Sequence, residues 1–199
     1  GNSATVGVRT GSYNTNDVQF NANYFGQQAG INVAANSYVS DGYRANNRNE
    51  QSNLQADMRW LTETGTVALK IGADRQDIRL PAGRRVQPST GLNQLESDRS
   101  GSRTPLDYAS RDGNRASLEW QHQTGIGEFN VDFGYRDKNQ KSYFDQGGWP
   151  IYNDASLKVL SFAPRLKIAK PLVGLENSLV VGLDWYGWDE FGGGIHDVI

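Results

Sequence analysis

Strict alternation of apolar and polar residues constrains the fold of this chain more than any other feature. In the segment 54–61, LQADMRWL, Leu54, Ala56, Met58 and Trp60 share one parity, and the residues between them are mostly polar. Such alternation predicts a β-strand with one apolar and one polar face. In a soluble protein the apolar face covers a core, whereas in an outer-membrane barrel it faces lipid and the polar face lines a wet lumen.

The same alternation recurs along almost the whole chain. Besides 54–61 it is found in the segments 5–11, 18–24, 30–36, 67–74, 116–121, 129–136, 157–168 and 178–186. In 157–168 the apolar phase slips after Val159 and Pro164 lacks a backbone donor, so we expect a β-bulge there. The pattern predicts an all-β chain: an antiparallel up-and-down meander of about nine strands that forms part of a transmembrane β-barrel.

Composition and charge narrow the class of protein. The chain has 199 residues, and its 20 Lys and Arg are balanced by 22 Asp and Glu, so electrostatic binding to nucleic acid is not expected. It has no cysteine, which excludes disulfides and thiolate metal ligands. The longest apolar run, at 179–183, is far too short for a transmembrane helix. The start, GNSATV, has neither an initiator Met nor a signal peptide, which suggests a mature or excised segment.

The predicted connections alternate in length. GQQAG, TETG and QTGIG are short glycine-containing hairpin loops, whereas the segments 39–52, 75–114 and 138–156 are long. Alternate loops of an up-and-down sheet emerge at opposite ends, so one end is trimmed and the other elaborated, as in outer-membrane barrels. A soluble meander with a loop-built binding face is the alternative interpretation.

Aromatic residues of apolar parity cluster at the short-turn end of the predicted sheet. Amphipathic rings at the headgroup level are typical of membrane barrels, whereas a soluble sandwich places its large aromatic residues in the middle of the core. The pattern therefore predicts a lipid belt made of Tyr24, Trp60, Trp120 and Phe129.

Catalytic chemistry is not indicated. The two histidines, His122 and His196, are too few for a metal site alone, and no nucleophile elbow or metalloprotease motif is present. Asp184 and Asp189 are both carboxylates, but nothing marks them as an acid–base couple. We expect no enzyme activity, no cofactor and no bound metal.

Charged residues of mixed sign occupy the polar parity of the strands. Opposite charges on adjacent strands come within cross-strand reach, as expected for a wall that borders water or a polar plug. The predicted lumen-facing residues are Asp57, Arg59, Lys70, Asp74, Glu119, Asp132, Arg136 and Asp184.

Ligand recognition is expected in the long loops. Arginine suits carboxylate and phosphate groups, and aromatic rings can stack on a ligand, although they can equally pack the loops together. The candidate ligand-binding residues are Arg79, Arg84, Arg85, Arg99, Arg103, Tyr143, Trp149 and Tyr152.

Three stretches resemble a known family. GNSATVGVRTGSYNTNDVQF, SDGYRANNRNEQSNLQADMRW and IGADRQDIRLPAGRR are similar to the first barrel strands of TonB-dependent outer-membrane receptors. The resemblance covers residues 1–190 and leaves 191–199 as a non-matching tail. It implies the N-terminal part of a 22-stranded barrel, with the globular plug and the remaining strands missing from this sequence.

The resemblance also implies a function. Members of this family import iron chelates, cobalamin or similar scarce compounds across the Gram-negative outer membrane, driven by the TonB complex through the plug. The expected partners are therefore outer-membrane lipid, the TonB complex and a small-molecule chelate. A small passive porin-like barrel and a soluble β-sheet ligand-binding module are the alternatives.

Overall fold

The computed structural model describes residues 1–145, 149–169 and 175–195 of the chain. They form an almost entirely β-structure, which confirms the predicted fold class. The long strands are β1 (Ser3–Gly11), β2 (Thr15–Phe25), β3 (Ala29–Ser40), β4 (Asn49–Thr62) and β5 (Gly65–Arg79), then β8 (Tyr108–Gln123), β9 (Glu128–Asp145), β10 (Pro150–Ala169), β11 (Ser178–Gly182) and β12 (Trp185–Ile195). A small hairpin, β6 (Val86–Gln87) and β7 (Leu92–Asn93), and two short helices (Pro88–Thr90 and α1, Gln94–Ser97) lie in the connection from β5 to β8. No helix in the described ranges is long and apolar enough to span a membrane.

The long strands form one antiparallel meander in chain order. Each pairs with the next from β1 through β10, and β11 and β12 both pair with the far side of β10. Arg165 faces Gly182 of β11 and Phe162 faces Trp185 of β12 in a single continuous register. The two segments therefore occupy one strand position, and the sheet has the nine positions that the sequence predicts. β12 continues to Ile195, into the predicted tail.

Pro164 accounts for the interruption between β11 and β12. The backbone N–H of Leu183 donates to the carbonyl of Pro164 at 3.1 Å, but proline has no N–H to complete the ladder. The predicted bulge is wrong, because β10 pairs with β9 in unbroken register from Pro150 to Lys167. The apparent phase slip arises because Val159, an apolar residue, lies on the polar face opposite Arg136.

Cross-strand register sorts the side chains of the sheet onto two different faces. One row across eight strands is apolar throughout: Tyr24, Ile31, Met58, Leu69, Leu118, Phe133, Phe162 and Trp185. The adjacent row on the other face is mostly polar: Asn23, Asn32, Asp57, Lys70, Ser117, Gly134, Ser161 and Tyr186.

The sheet has no hydrophobic core in the part of the chain that the structure describes. The only buried apolar residues there are Ala56, Ala68 and Ala163, and no large side chain is fully buried. Large apolar residues are instead exposed on the apolar face, including Tyr24 at 53% and Trp120 at 41%. The sheet is therefore a single layer whose apolar face has no protein partner among these residues.

Apolar side chains cover only part of each strand's apolar face. Together these stretches form what we call the apolar band, which spans 18–24 in β2, 31–35 in β3, 54–60 in β4, 67–73 in β5, 116–120 in β8, 129–135 in β9, 160–168 in β10 and 179–185 in β11 and β12. The band shifts along the strand direction from one strand to the next, which we call its slide. The row that begins at Val18 is polar from β3 onward: Ser37, Ser52, Arg75, Asp112, Asn139 and Ser156. Such a slide is what a level apolar layer produces when it crosses tilted strands.

Beyond the band, β8, β9 and β10 continue as a polar extension made of residues 108–114, 137–145 and 150–158. β10 has 20 residues, or about 65 Å at ~3.3 Å per residue, against an apolar layer of about 25 Å in membrane barrels. The predicted long loop at 138–156 is therefore wrong, since most of it is a β-hairpin. Alternation fails there because polar and aromatic residues occur on both faces.

Candidate functional site

The polar face and the loops at one end of the sheet are the candidate functional site. All eight predicted lumen-facing residues lie on this face, as the cross-strand register requires. Lys70 of β5 forms an ion pair with Glu119 of β8, and Arg111 lies 3.6 Å from Asp74. These groups are partly exposed, so the pairs fix side-chain positions more than they stabilise the fold. Their lumenal role stays a prediction.

Arg165 joins three strand positions on this face, and the sequence interpretation did not include it. Its guanidinium lies 3.2 Å from Asp132 of β9 and 2.8 Å from Asp184, in the gap between β11 and β12. The arginine thereby links both predicted carboxylates across the place where Pro164 weakens the ladder. Ser161 and Ala163 lie on the polar face, so the alternation along β10 would have placed Arg165 there as well.

Arg115 and Arg136 form a like-charged cross-strand pair on the polar face. They face each other in the register of β8 and β9, and Gly72 faces Arg115 on the other side. A Cβ on Gly72 would lie 2.7 Å from Nε of Arg115, so the glycine leaves the space that this side chain occupies. The guanidinium group of neither arginine has a hydrogen bond or an ion pair among the described residues.

The connection from β5 to β8 is fixed onto the turn between β3 and β4, and we call this assembly the loop cap (residues 41–48 and 80–107). Asn46 lies at its centre in the left-handed region, with φ 53°. Its side-chain amide donates to the carbonyls of Leu80, Thr104 and Asp107 at 3.3, 2.7 and 2.9 Å. The guanidinium of Arg44 donates to the carbonyls of Pro81 and Gly101. The long loop is therefore held in one arrangement by backbone contacts.

At the edge of the loop cap, Asp41 is tied to the first hairpin. Asn14 donates to its carboxylate at 2.6 Å, and Arg48 donates at 2.7 Å. The hydrogen bond from Asn14 is the largest cause that lowers the pKa of Asp41 below its ordinary value; burial opposes it, and the contact with Arg48 lowers the pKa further.

The predicted arginines of the loop do not gather at one point. The side chain of Arg84 is only 5% exposed and pairs with Asp98 at 2.5 Å. Arg79 ends β5 and lies over the ring of Tyr108 at 5.3 Å. Arg99 donates to the carbonyl of Leu95, and Arg85 and Arg103 are exposed. Their ligand-binding role stays a prediction, and Arg84 is the one least accessible to a ligand.

The predicted aromatic loop residues lie mainly in strands. Tyr143 of β9 and Tyr152 of β10 face each other in the polar extension, because the strands continue beyond the apolar band. Tyr143 also stacks on Tyr108 with ring centroids 6.4 Å apart and planes 13° apart. Trp149 is in the hairpin connection and is 73% exposed. Their contact with a ligand is untested.

The predicted lipid-belt residues lie beside the short turns. Trp120 contacts Phe129 edge-to-face at 5.7 Å and stacks on His122 at 5.6 Å. Trp60 and Trp120 share the partner Val67 in the register. His122 also hydrogen-bonds the hydroxyl of Thr64 at 3.0 Å, whereas His196 lies outside the described residues.

The fold shows where the carboxylates Asp184 and Asp189 lie and whether possible metal ligands come together. Asp184 and Asp189 have opposite parity in the continuous register of β11 and β12, so they lie on different faces and do not form an acid–base pair. Within residues 1–145, 149–169 and 175–195, no cluster of three or more His, Asp and Glu could hold a metal ion.

Comparison with known proteins identifies the fold. No protein-family profile and no curated protein sequence matches the chain. Among solved structures, the ferric citrate transporter FecA in its unliganded form matches with a TM-score of 0.70 and 16% identity, over 95% of this chain and 28% of FecA. BauA, the ferric preacinetobactin receptor from Acinetobacter baumannii, matches with a TM-score of 0.73 and 10% identity, over 98% of this chain and 31% of BauA.

The sheet has the fold of part of a β-barrel receptor. By their names, one solved neighbour is a transporter of ferric citrate and the other a receptor for ferric preacinetobactin. The chain spans less than a third of the length of either of them. At these identities the likeness concerns the fold alone.

Proposed function

We propose that this chain forms part of the barrel wall of a TonB-dependent receptor in the Gram-negative outer membrane. Its apolar band faces lipid, its polar face lines the lumen, and its loop cap takes part in capturing a scarce small chelate for energised uptake. The observation that carries the proposal is the apolar band itself, which crosses eight strands of a single-layer sheet that has no core among the described residues.

An uncovered apolar surface of this extent is the strongest support for a lipid-facing wall. Soluble monomers seldom expose a contiguous apolar patch larger than several hundred Å². Here the exposed residues lie in register across strand after strand, as Ile31, Leu118 and Phe162 illustrate. Lipid would cover all of them at once, and the unpaired polar face would remain in water.

The shape of the band supports the same proposal. Its lower edge has aromatic rings beside the short turns, where the membrane interface of a barrel has its aromatic girdle. Its upper edge gives way to Asn114 in β8, Asp137 in β9 and Lys158 in β10, which are in one row. In this proposal the polar extension, and the loop cap beside it, lie on the outer side of the membrane.

The proposed chelate belongs to the class that the solved neighbours' names describe, namely ferric complexes of small organic ligands. We extend this class to the present chain as part of the proposal. Energy would come from the TonB complex through a plug domain that contacts the polar face. The requirement for TonB and for this chain is tested in strains of the source bacterium with and without TonB and with and without the gene for this chain. Growth under iron limitation and ferric-chelate uptake are measured in each strain. Equal ferric-chelate uptake in all strains would contradict that requirement.

Two tryptophans on one strand test the lipid-facing wall directly. Trp185 belongs to the apolar row and Trp188 lies on the polar face opposite Val159, although both are in β12. The chain is inserted into vesicles as two variants, each with one of these residues as its only tryptophan and Phe at the other tryptophan positions. We expect brominated lipid to quench Trp185 strongly and Trp188 weakly, and aqueous iodide to do the reverse.

Equal quenching of the two residues by brominated lipid would overturn the wall proposal. So would monodisperse, cooperatively folded protein in the absence of detergent, because a soluble binding module would behave in this way. Heat-modifiable mobility in gels with folded protein in vesicles would support it.

A further inference from the structure

We propose that Arg115 and Arg136 form a binding site for a small multivalent oxyanion, a phosphate or a dicarboxylate, on the polar face of the sheet. The site goes beyond the proposed function, since it requires only the fold of β5, β8 and β9. Its basis is the juxtaposition of two arginines whose side chains have no partner among the described residues, together with a glycine that leaves room for Arg115.

The first support is electrostatic. Like charges directly opposite each other on adjacent strands destabilise a sheet, so the pair costs free energy unless an anion lies between them. Two other polar-face cations are neutralised, Lys70 by Glu119 and Arg165 by Asp132 and Asp184. Arg115 and Arg136 have no such carboxylate within ion-pair distance among the described residues.

The second support is the balance of charge around the pair. The neighbouring polar-face rows bring Lys138 from β9, Asp74 and Lys70 from β5, and Asp57 from β4. Asp74 lies 3.6 Å from Arg111, and Lys70 is paired with Glu119. Asp137 also lines the adjoining space. Among the described residues of these rows, Lys138 and the arginine pair are cations without an ion pair, and Asp57 and Glu190 are carboxylates without one, so the rows keep one net positive charge.

The third support is space. Gly113 and Gly134 lie on the polar face next to the pair, and Gly72 is beneath Arg115. Two concavities adjoin the arginines, of about 430 Å³ and 580 Å³, and both are lined by Arg115 and Arg136. Each concavity is larger than a phosphate or a malonate ion needs, so it has room for an anion beside the two arginines that line it.

The chemistry of the site specifies a class of ligand. Guanidinium groups present paired N–H donors that match two oxygens of a carboxylate or phosphate. Two such groups favour a dianion with several acceptor oxygens over a monovalent ion such as chloride. Phosphate and dicarboxylate share this recognition chemistry, and separate titrations distinguish them.

The test uses the full chain folded in detergent micelles or vesicles, titrated calorimetrically with inorganic phosphate and, separately, with malonate. We expect saturable binding of at least one of them. Arg115→Gln and Arg136→Gln should each weaken it at least about tenfold, the loss of one charge-assisted hydrogen-bonding group. Arg136→Lys should give an intermediate loss, because the charge remains and the planar fork does not.

Two further variants separate the site from general charge. Gly72→Ala keeps the net charge but displaces Arg115, so it should weaken binding as well. Arg75→Gln removes one exposed arginine of β5 outside the pair and should leave binding unchanged. An equal loss in Arg75→Gln, or unchanged binding in both arginine-pair variants, would overturn the proposal.

Folding and lipid insertion are monitored in every variant by gel mobility and tryptophan quenching. Absence of anion binding with lipid insertion intact would refute the anion site and leave the proposed wall function standing. Anion binding by a chain that does not insert into lipid would refute the wall function alone.

Discussion

The two halves of β8, β9 and β10 have the same backbone pairing but opposite relations to their surroundings. Near the short turns the apolar parity carries Leu118, Phe133 and Phe162, and beyond the band the same parity carries Asp112, Asn139 and Ser156. The strands continue through this change without a break in register. Backbone pairing therefore sets how long a strand is, and side-chain chemistry sets which part of it can be covered by lipid.

The comparison also explains where the molecule gains its order. The single-layer sheet lacks a core, so its apolar half depends on an external apolar phase, whereas its polar half depends on ladders and side-chain hydrogen bonds. The loop cap lies beyond the strands and uses a third means, the direct binding of loop carbonyls by Asn46 and Arg44.

The largest expected effect comes from placing a charge in each half of one strand. Phe162→Lys and Ser156→Lys put the same side chain on the same face of β10, inside and outside the apolar band. A cation facing the middle of the bilayer costs about 2–4 kcal/mol in membrane barrels, and the lost aromatic contact adds to this. We expect Ser156→Lys to change stability by less than about 0.5 kcal/mol, as for ordinary surface substitutions.

Denaturant titration of both variants in lipid vesicles measures this difference. Similar free energies of unfolding for Phe162→Lys and Ser156→Lys would mean that the two halves of β10 share one environment, and the division into band and extension would fail.

An intermediate and local effect is expected in the loop cap. Asn46→Ala removes the donor to three loop carbonyls and leaves them to water, at a cost of about 1–3 kcal/mol where they are buried. We expect faster amide exchange and faster proteolysis within 80–107, with no change in the apolar band. Asn47→Ala is the matched control, because Asn47 has no side-chain hydrogen bond among the residues described.

Loss of protection in the strands as well as the loop would show that the cap and the sheet unfold together. Unchanged exchange in 80–107 would show that the carbonyl contacts of Asn46 do not hold the loop.

The smallest effect concerns Asp41, at the boundary between the first hairpin and the loop cap. Because its pKa is lowered in the folded protein, its contribution to stability is present above its ordinary pKa and is lost as pH falls through the folded value. Asn14→Ala removes the main cause and should raise the pKa of Asp41 toward its ordinary value. An NMR titration of the carboxyl carbon measures the shift, and an unchanged pKa would assign the effect to Arg48 instead.

Much of the fold could be predicted from the sequence because it depends on parity. The positions of Val131 and Trp120 relative to Asp132 and Glu119 fix which face each strand presents, and this assignment limits the register to shifts of an even number of residues. The polar extension could not be predicted in this way, because its residues do not alternate between apolar and polar. Lys138, Asn139 and Gln140 show no alternation, so only pairing with a long neighbour reveals them as strand.

The candidate site was less accessible to sequence reasoning. The prediction groups the loop arginines because they are near one another in the chain. In the structure Arg84 is buried against Asp98, and the other arginines have different neighbours. Arg115 and Arg136 are 21 positions apart in the chain and meet only because the β8–β9 hairpin has one particular register. Arg165 bridges Asp132 and Asp184 for the same kind of reason.

The sequence by itself determined the all-β class, the nine strand positions and the two faces of the sheet, since a period of two is a local property of the chain. The tertiary structure decided the lengths of the strands, the slide of the apolar band, the loop cap and the arginine pair. Those features depend on which residues become neighbours across strands, and side-chain spacing along one strand does not choose among the registers that keep the same two faces.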